Sequence, residues 1–281
     1  MNYTLKNSLI KTQDVSLSFG NRVILKPTTV EVRDIVRSET TPTGQIIGLL
    51  GPSGIGKTQF SRMLTGLQEP TSGSIQVVDY ANDPTGEKMV PVRPGVVGLV
   101  AQNYPLFKHR TVKGNLLVAL EKSKLSPKDR LAKAREYLAL FELSDKEDRF
   151  PVQLSGGQRQ RIAIIQALLC SEHFLVLDEP FTGLDPLMRD LTCDLILKVA
   201  NIDERNTIFV VAHDISALVK ISDHLWMFGR DRDETGQTIP GATIKYAYDL
   251  IERGLAWRPG IDSTQEFHNT VTEVKAQFKN L

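Results

Sequence analysis

Three short stretches of the chain combine residue types that handle phosphate and water. Gly51-Pro52-Ser53-Gly54-Ile55-Gly56-Lys57-Thr58 follows the apolar run Gln45 to Leu50 and opens an apolar-periodic stretch that reaches Leu67. A strand, a glycine-rich loop and a helix in that order make a cradle for a polyphosphate. The glycines let the backbone N–H groups and the helix N-terminus turn toward the anion, Lys57 adds a mobile charge, and the Thr58 hydroxyl is placed to ligate Mg2+. A plain glycine-rich turn before a helix is the simpler reading of the same residues. Phe174-Leu175-Val176-Leu177-Asp178-Glu179 is an apolar strand that delivers two carboxylates at its C-terminal end, where ligands bind in open α/β sheets. There Asp178 would serve Mg2+ through water and Glu179 would act as general base on an attacking water. Alone, such a strand is commonly structural; beside the glycine-rich loop it reads as chemistry. Leu154-Ser155-Gly156-Gly157-Gln158 offers a hydroxyl and free backbone N–H groups at a helix start, a second anion site in one chain.

The elements that must position these groups are legible from periodicity. Gln45 to Leu50, Phe174 to Leu177 and Thr207 to Ala212 are short apolar runs that suit strands buried on both faces. Between them lie helical patterns over Thr111 to Ser123, Pro127 to Phe141, Gln158 to Cys170 and Pro186 to Ala200. Ser126 before Pro127 and Asp185 before Pro186 are cap-and-proline starts. Strands alternating with helices predict an α/β fold with a mainly parallel sheet. Upstream, Thr12 to Phe19, the turn Gly20-Asn21 and Arg22 to Leu25 predict an antiparallel hairpin, and Arg33 to Gly44 a surface loop. After Phe228 the pattern weakens into a polar, turn-rich stretch from Gly229 to Gly241. Beyond it, Ser263 and Glu266 suggest a capping box, with Phe267, Val271, Val274 and Phe278 at helical spacing. Packing back on the domain and binding a partner are both open to that amphipathic face.

Bulk properties add exclusions. The 281 residues accommodate one large domain, and a net charge of +1 gives no electrostatic sign of nucleic acid. Cys170 and Cys193 lie in apolar stretches and read as buried small hydrophobes. Met1 to Lys11 lacks the pattern of a signal peptide, and no apolar stretch approaches a bilayer-spanning length.

Taken together, the glycine-rich loop, the strand ending Asp178-Glu179 and above all Leu154 to Gln158, followed by Arg159-Gln160-Arg161, resemble the ABC (ATP-binding cassette) ATPase family. The resemblance covers Thr12 to about Phe228. It implies a P-loop NTPase core with a mainly parallel sheet, an N-terminal antiparallel β subdomain and an inserted α-helical subdomain. Residues 1–228 would form the ATPase domain, with the helical subdomain at about 103–165 and residues 229–281 as a C-terminal extension. The resemblance further implies ATP and Mg2+ as ligands of the whole loop from Gly51 to Thr58. It implies a head-to-tail dimer in which Ser155, Gly156, Gly157 and Gln158 of one copy close over ATP held by the other.

The remaining landmarks are carried over by the same resemblance. Phe19 matches the aromatic residue that stacks on adenine, where the family more often has Tyr, and a core aromatic is the other reading. Gln102 matches the glutamine that reaches Mg2+ and the attacking water. Thr182-Gly183-Leu184-Asp185 resembles the loop that places Asp185 near the dimer interface, and His213 matches the histidine that contacts the γ-phosphate. Lys57, Gln102, Glu179 and His213 are thus the expected catalytic set, and Thr58, Gln102 and Asp178 the metal set. Gln102 to Phe107 with Thr111, Val112 and Asn115 look most like bacterial importer subunits. That implies membrane-spanning partner subunits, a substrate-binding protein, and a place on the cytoplasmic face of the cell membrane. Tyr104, Leu106 and Phe107 either contact that partner or pack internally. The segments Arg33 to Gly44 and Ala81 to Gly95 are longer than a minimal cassette needs. The rival class is a non-transport ABC ATPase acting on a soluble or nucleic-acid partner. Thr58 to Leu154 leaves no room for the long coiled coil of chromosome-maintenance members, and one loop with one signature argues against a double cassette.

Overall fold

The computed structural model describes residues 3–37, 44–80, 82–171 and 173–281. In chain order the elements are β1 (Tyr3–Phe19), β2 (Arg22–Arg37), β3 (Gln45–Leu50), α1 (Lys57–Leu64), β4 (Ser72–Val78), β5 (Met89–Pro91) and β6 (Gly98–Val100). There follow α2 (Val112–Ala119), α3 (Pro127–Leu140), α4 (Gly156–Ser171), β7 (Phe174–Asp178), α5 (Pro186–Ala200) and β8 (Thr207–Ala212). The chain closes with α6 (Ile215–Ile221), β9 (His224–Arg232), β10 (Thr238–Asp249) and α7 (Gln265–Phe278).

Ten strands form one sheet in the order β5-β4-β1-β2-β10-β9-β3-β8-β7-β6. The half from β9 to β6 is parallel, and β1, β2, β4 and β5 pair antiparallel. This is the mixed α/β architecture expected from the alternation of strands and helices. Every residue of β3 and β8 is buried. Their alternate side chains serve opposite faces: Ile46, Leu50, Ile208 and Val210 join the core under α2 to α7, while Ile47, Leu49, Phe209 and Val211 join the core around α1. Helices α2, α3 and α4 lie between β6 and β7 in sequence and share the first of these cores.

The start signals work as read. Ser126 Oγ accepts from Asp129 N at 3.2 Å, and Asp185 Oδ1 accepts from Met188 N at 3.0 Å, each with proline next in the helix.

Other expectations need correction. The first hairpin is far longer than Thr12 to Leu25, because β1 supplies partners as far as Tyr3 opposite Arg37 and Leu5 opposite Ile35. Residues 33–37 are therefore strand, and residues 38–43 of the expected loop, like Ala81 of the second long segment, lie outside the described residues. Strand β9 runs through Phe228 to Arg232, and β10 inserts between β9 and β2, so the boundary expected at 228 falls inside a strand of the central sheet. Cys193 is buried, but Cys170 is exposed where the last turn of α4 reaches the surface. Helix α7 is capped by Thr264, whose hydroxyl accepts from Phe267 N at 3.3 Å; Ser263 instead donates to the Gly260 carbonyl in the preceding turn. The apolar face of α7 packs home, with Phe267, Val271 and Val274 buried in the core shared with α6.

Candidate functional site

The site is assembled by register. Strands β3, β8 and β7 run parallel, with Leu50 beside Ala212 and Val211 beside Asp178, and β6 adds Val100 beside Leu177. Whatever follows these strands leaves from one edge of the sheet. Those followers are the Gly51 to Thr58 loop, Gln102, Glu179 and His213.

The loop turns through left-handed backbone at Gly54 (φ 73°) and Gly56 (φ 119°), a conformation that favours glycine, and enters α1 at Lys57. Gly51 lies against β9, where an added Cβ would stand 2.8 Å from the Phe228 carbonyl; at Gly54 it would meet nothing within 4 Å. The space over Gly54 is open for a ligand, whereas Gly51 is glycine for packing. Lys57 is 5% exposed, and its Nζ donates to the carbonyls of Gly51 at 2.6 Å and Pro52 at 3.1 Å. Burial pushes the Lys57 ammonium below its ordinary pKa, opposed by the nearby Glu179 and Asp178 carboxylates.

Thr58 Oγ1 donates to Asp178 Oδ1 at 3.4 Å. Burial, followed by the neighbouring Glu179, raises the Asp178 carboxyl above the usual range, against the pull of Thr58 and Lys57. A half-buried carboxylate beside a second one is a place that gains from a cation, and a hydroxyl with one carboxylate suits Mg2+, which keeps most of its ligands as water and phosphate. Among the described residues no group of three or more His, Cys, Asp or Glu could hold a metal ion.

Glu179 sits at φ 54° with its N–H donating to Val211 O at 2.8 Å. Left-handed backbone is unfavourable for a side-chain-bearing residue, and it turns the carboxylate off the strand line toward His213. Glu179 Oε2 is 2.8 Å from His213 Nδ1 and accepts from Thr182 Oγ1 at 3.2 Å. The Thr182 contact was not anticipated; a hydroxyl three residues after a turn glutamate is its sequence signal. His213 is 60% exposed and Glu179 19%, so the pair opens outward.

The other expected residues take separate positions. Phe19 is 49% exposed at the tip of the β1–β2 hairpin and is not a core aromatic, and Ile24 of that hairpin lies against the loop at Gly56. Gln102 is exposed two residues after β6. Ser155 and Gln158 form a reciprocal cap on α4: Gln158 N donates to Ser155 Oγ at 3.3 Å, and Ser155 N donates to Gln158 Oε1 at 3.0 Å. A Cβ on Gly156 would meet nothing within 4 Å, and one on Gly157 only Met188 Cε at 3.5 Å, which puts this turn beside the start of α5 capped by Asp185. Among the described residues no hydrogen bond joins Leu154–Gln158 or Asp185 to the Gly51–Thr58 loop. Tyr104 and Leu106 are half-buried against the core and Phe107 is exposed.

The family model described as ABC transporter matches residues 37–182, just over half of the chain. The sulfate/thiosulfate import ATP-binding protein CysA of Synechococcus elongatus is 36% identical over 225 residues, which cover 80% of this chain and 61% of that protein. The spermidine/putrescine import ATP-binding protein PotA of Bacillus cereus is 33% identical over 80% of this chain and 64% of its own length. The chain thus spans less than two thirds of the length of these curated relatives. Among solved structures, cbiO1 from Clostridium perfringens, part of the ABC transporter complex cbiONQ, superposes with a TM-score of 0.69 at 19% identity over 97% of each chain. MJ1267, an ATP-binding cassette in its ADP conformation, gives 0.70 at 20% identity over 98% of this chain and 99% of its own. At such identity the likeness speaks for the fold, and with the family match over residues 37–182 it leads to one conclusion: the chain belongs to the ABC transporter family.

Proposed function

We propose that the chain is the ATP-hydrolysing motor subunit of an ABC importer, acting as a pair of copies around two Mg-ATP and driving separate membrane-spanning subunits. The observation that carries this reading is the convergence, on one sheet edge, of the glycine-rich loop, the Thr58–Asp178 pair and the Glu179–His213 pair. The backbone from Gly51 to Thr58 cradles the phosphates, and Lys57 exchanges its two carbonyl acceptors for phosphate oxygens. Thr58 and, through water, Asp178 would hold Mg2+, with Gln102 joining them. When bound, that ion would supply positive charge to the phosphate oxygens. Glu179 takes a proton from the attacking water, His213 steadies its carboxylate and faces the γ-phosphate, and Phe19 stacks on the base.

Ser155, Gly156, Gly157 and Gln158 of one copy close on ATP held by the other, with Asp185 at the seam. The empty space over Gly156 supports this, since nothing within one copy requires a glycine there. We assign about 103–165 to the helical subdomain. Beside it, a cleft of about 290 Å³ lined by Leu67, Leu99, Pro105 and Ala167 is where a membrane subunit docks on the loop that carries Gln102. Among the described residues no helix is long and apolar enough to cross a membrane, which fits anchoring by such a partner on the cytoplasmic face of a bacterial membrane. The names of the relatives, importers of sulfate/thiosulfate and of spermidine/putrescine, favour import of a small solute; we assign its delivery to a substrate-binding protein.

The test uses the Glu179→Gln chain, expressed at native level and purified from solubilised membranes in ATP and Mg2+. The expected result is turnover lowered at least a hundredfold, a dimer that persists with ATP, and a co-purifying multi-span membrane protein. Full turnover defeats the assignment of the base. Recovery of soluble partners, ribosomes or nucleic acid alone moves the chain to the non-transport class.

A further inference from the structure

The carbonyl of Pro180 accepts two side-chain donors from elements far apart in sequence. Gln160, in the second turn of α4 and 4% exposed, donates from Nε2 at 3.2 Å. Tyr104, in the loop between β6 and α2, donates its hydroxyl at 3.4 Å, a longer and weaker bond. Pro180 directly follows Glu179. Its ring fixes its own φ and restricts the residue before it, so only ψ of Pro180 stands between the direction of its carbonyl and the backbone of Glu179. A carbonyl held by two donors therefore restrains the turn in which Glu179 stands at φ 54°.

Each donor is itself tied down. Tyr104 stands at φ 45°, with its N–H on the Ala101 carbonyl at 2.9 Å. The far end of its loop is fastened to α2 by Asn115, which is fully buried. Asn115 Oδ1 accepts from Phe107 N at 2.7 Å, and its Nδ2 donates to the carbonyls of Phe107, Arg110 and Thr111. Gln160 rides on the helix whose first residues are Gly156 and Gly157. Its neighbours Ile162, Ile164 and Ile165 are buried and apolar, so an amide at 160 is not demanded by packing. Directional bonds of this length are lost on displacements of about 1 Å, so the two donors report the position of α4 and of the 101–107 loop to the backbone beside Glu179.

We infer that Gln160 and Tyr104 are positioning residues for Glu179: they meet on the Pro180 carbonyl and set the orientation of the carboxylate. The inference rests on Glu179 being the base of the proposed hydrolysis.

The experiment measures ATP turnover and nucleotide affinity of the full chain carrying Gln160→Met, Tyr104→Phe, both together, or Glu179→Gln. Gln160→Met should lower kcat roughly tenfold and Tyr104→Phe roughly threefold, the loss of one hydrogen bond each. KM and ATP affinity should stay within about twofold of the parent. The double variant should fall by less than the product of the single losses, because both donors act on one acceptor. Tyr104→Phe, a loop change that keeps the ring, preserves the test if the buried Gln160 variant folds poorly. If Glu179→Gln is inactive while both single variants keep the parental kcat, the inference alone falls. Losses of kcat, affinity and thermal stability in step would make the contacts merely structural and overturn it. If Glu179→Gln turns over normally, the base assignment and this inference fall together.

Discussion

His213 Nδ1 lies 2.8 Å from Glu179 Oε2, although 34 positions separate them. The contact follows from the pairing of β7 and β8, which brings Asp178 level with Val211 so that the residues beyond each strand leave side by side. With Thr182 Oγ1 on the same oxygen, the carboxylate is oriented before any substrate arrives. His213→Ala should therefore lower turnover about a hundredfold while nucleotide affinity changes little. Phosphate release and equilibrium binding separate the two, and a parental rate would make the pair structural.

Glu179 at φ 54° stores strain that a glycine would not. Without nucleotide, Glu179→Gly should be more stable than Glu179→Gln by about 0.5 kcal/mol, the relief of left-handed strain less the added flexibility of the unfolded chain. Both variants should be inactive. Urea midpoints measure the difference, and a Gly variant no more stable than the Gln variant would show that the turn is unstrained.

Gly156 and Gly66 make opposite predictions. A Cβ on Gly156 meets nothing within 4 Å, but one on Gly66, at φ 71°, would lie 2.7 Å from the Arg93 backbone. Gly156→Ala should leave the single copy as stable or more so, by up to about 1 kcal/mol at a helix position, while abolishing self-association in ATP. Gly66→Ala should destabilise by about 2 kcal/mol or more. Thermal melts and size-exclusion chromatography with and without ATP decide both; normal association of Gly156→Ala would argue against the shared site.

Far from the site, Arg205 forks onto Asp203 at 2.9 and 2.7 Å and holds its carboxyl at about 2. A carboxyl with a lowered folded pKa stabilises the fold above its unfolded value, near 3.9, and loses that increment as pH falls toward the folded value. Asp203→Asn should cost about 1 kcal/mol at pH 7, reduced by solvent at this part-exposed pair. The gap between the two chains in urea should close between about pH 4 and pH 2. A gap independent of pH would assign the loss to packing.

What could be read from residues alone was what neighbouring residues decide. Glycines at 54 and 56, the caps at Ser126 and Asp185, and the buried runs Gln45–Leu50 and Thr207–Ala212 act within a few residues of themselves, and the structure has them where their chemistry demands. The reach of the first hairpin was not legible, because Arg33–Arg37 mixes charged residues with Ile35 and Val36 and becomes strand only by pairing with residues some thirty positions earlier. The same holds for β10, whose place between β9 and β2 depends on partners from both ends of the chain. Exposure was equally hidden at Cys170, which sits in apolar sequence yet stands at a helix end.

The sequence by itself determined which residues could hold phosphate and activate water, because those abilities belong to side-chain types and to the local turns that present them. Only the tertiary structure decided that Thr58 meets Asp178, that Glu179 meets His213, and that Gln160 and Tyr104 meet on Pro180. These contacts depend on which strands lie side by side and in what register, and that is settled by the burial of β3, β7, β8 and β9 between two cores rather than by any one segment.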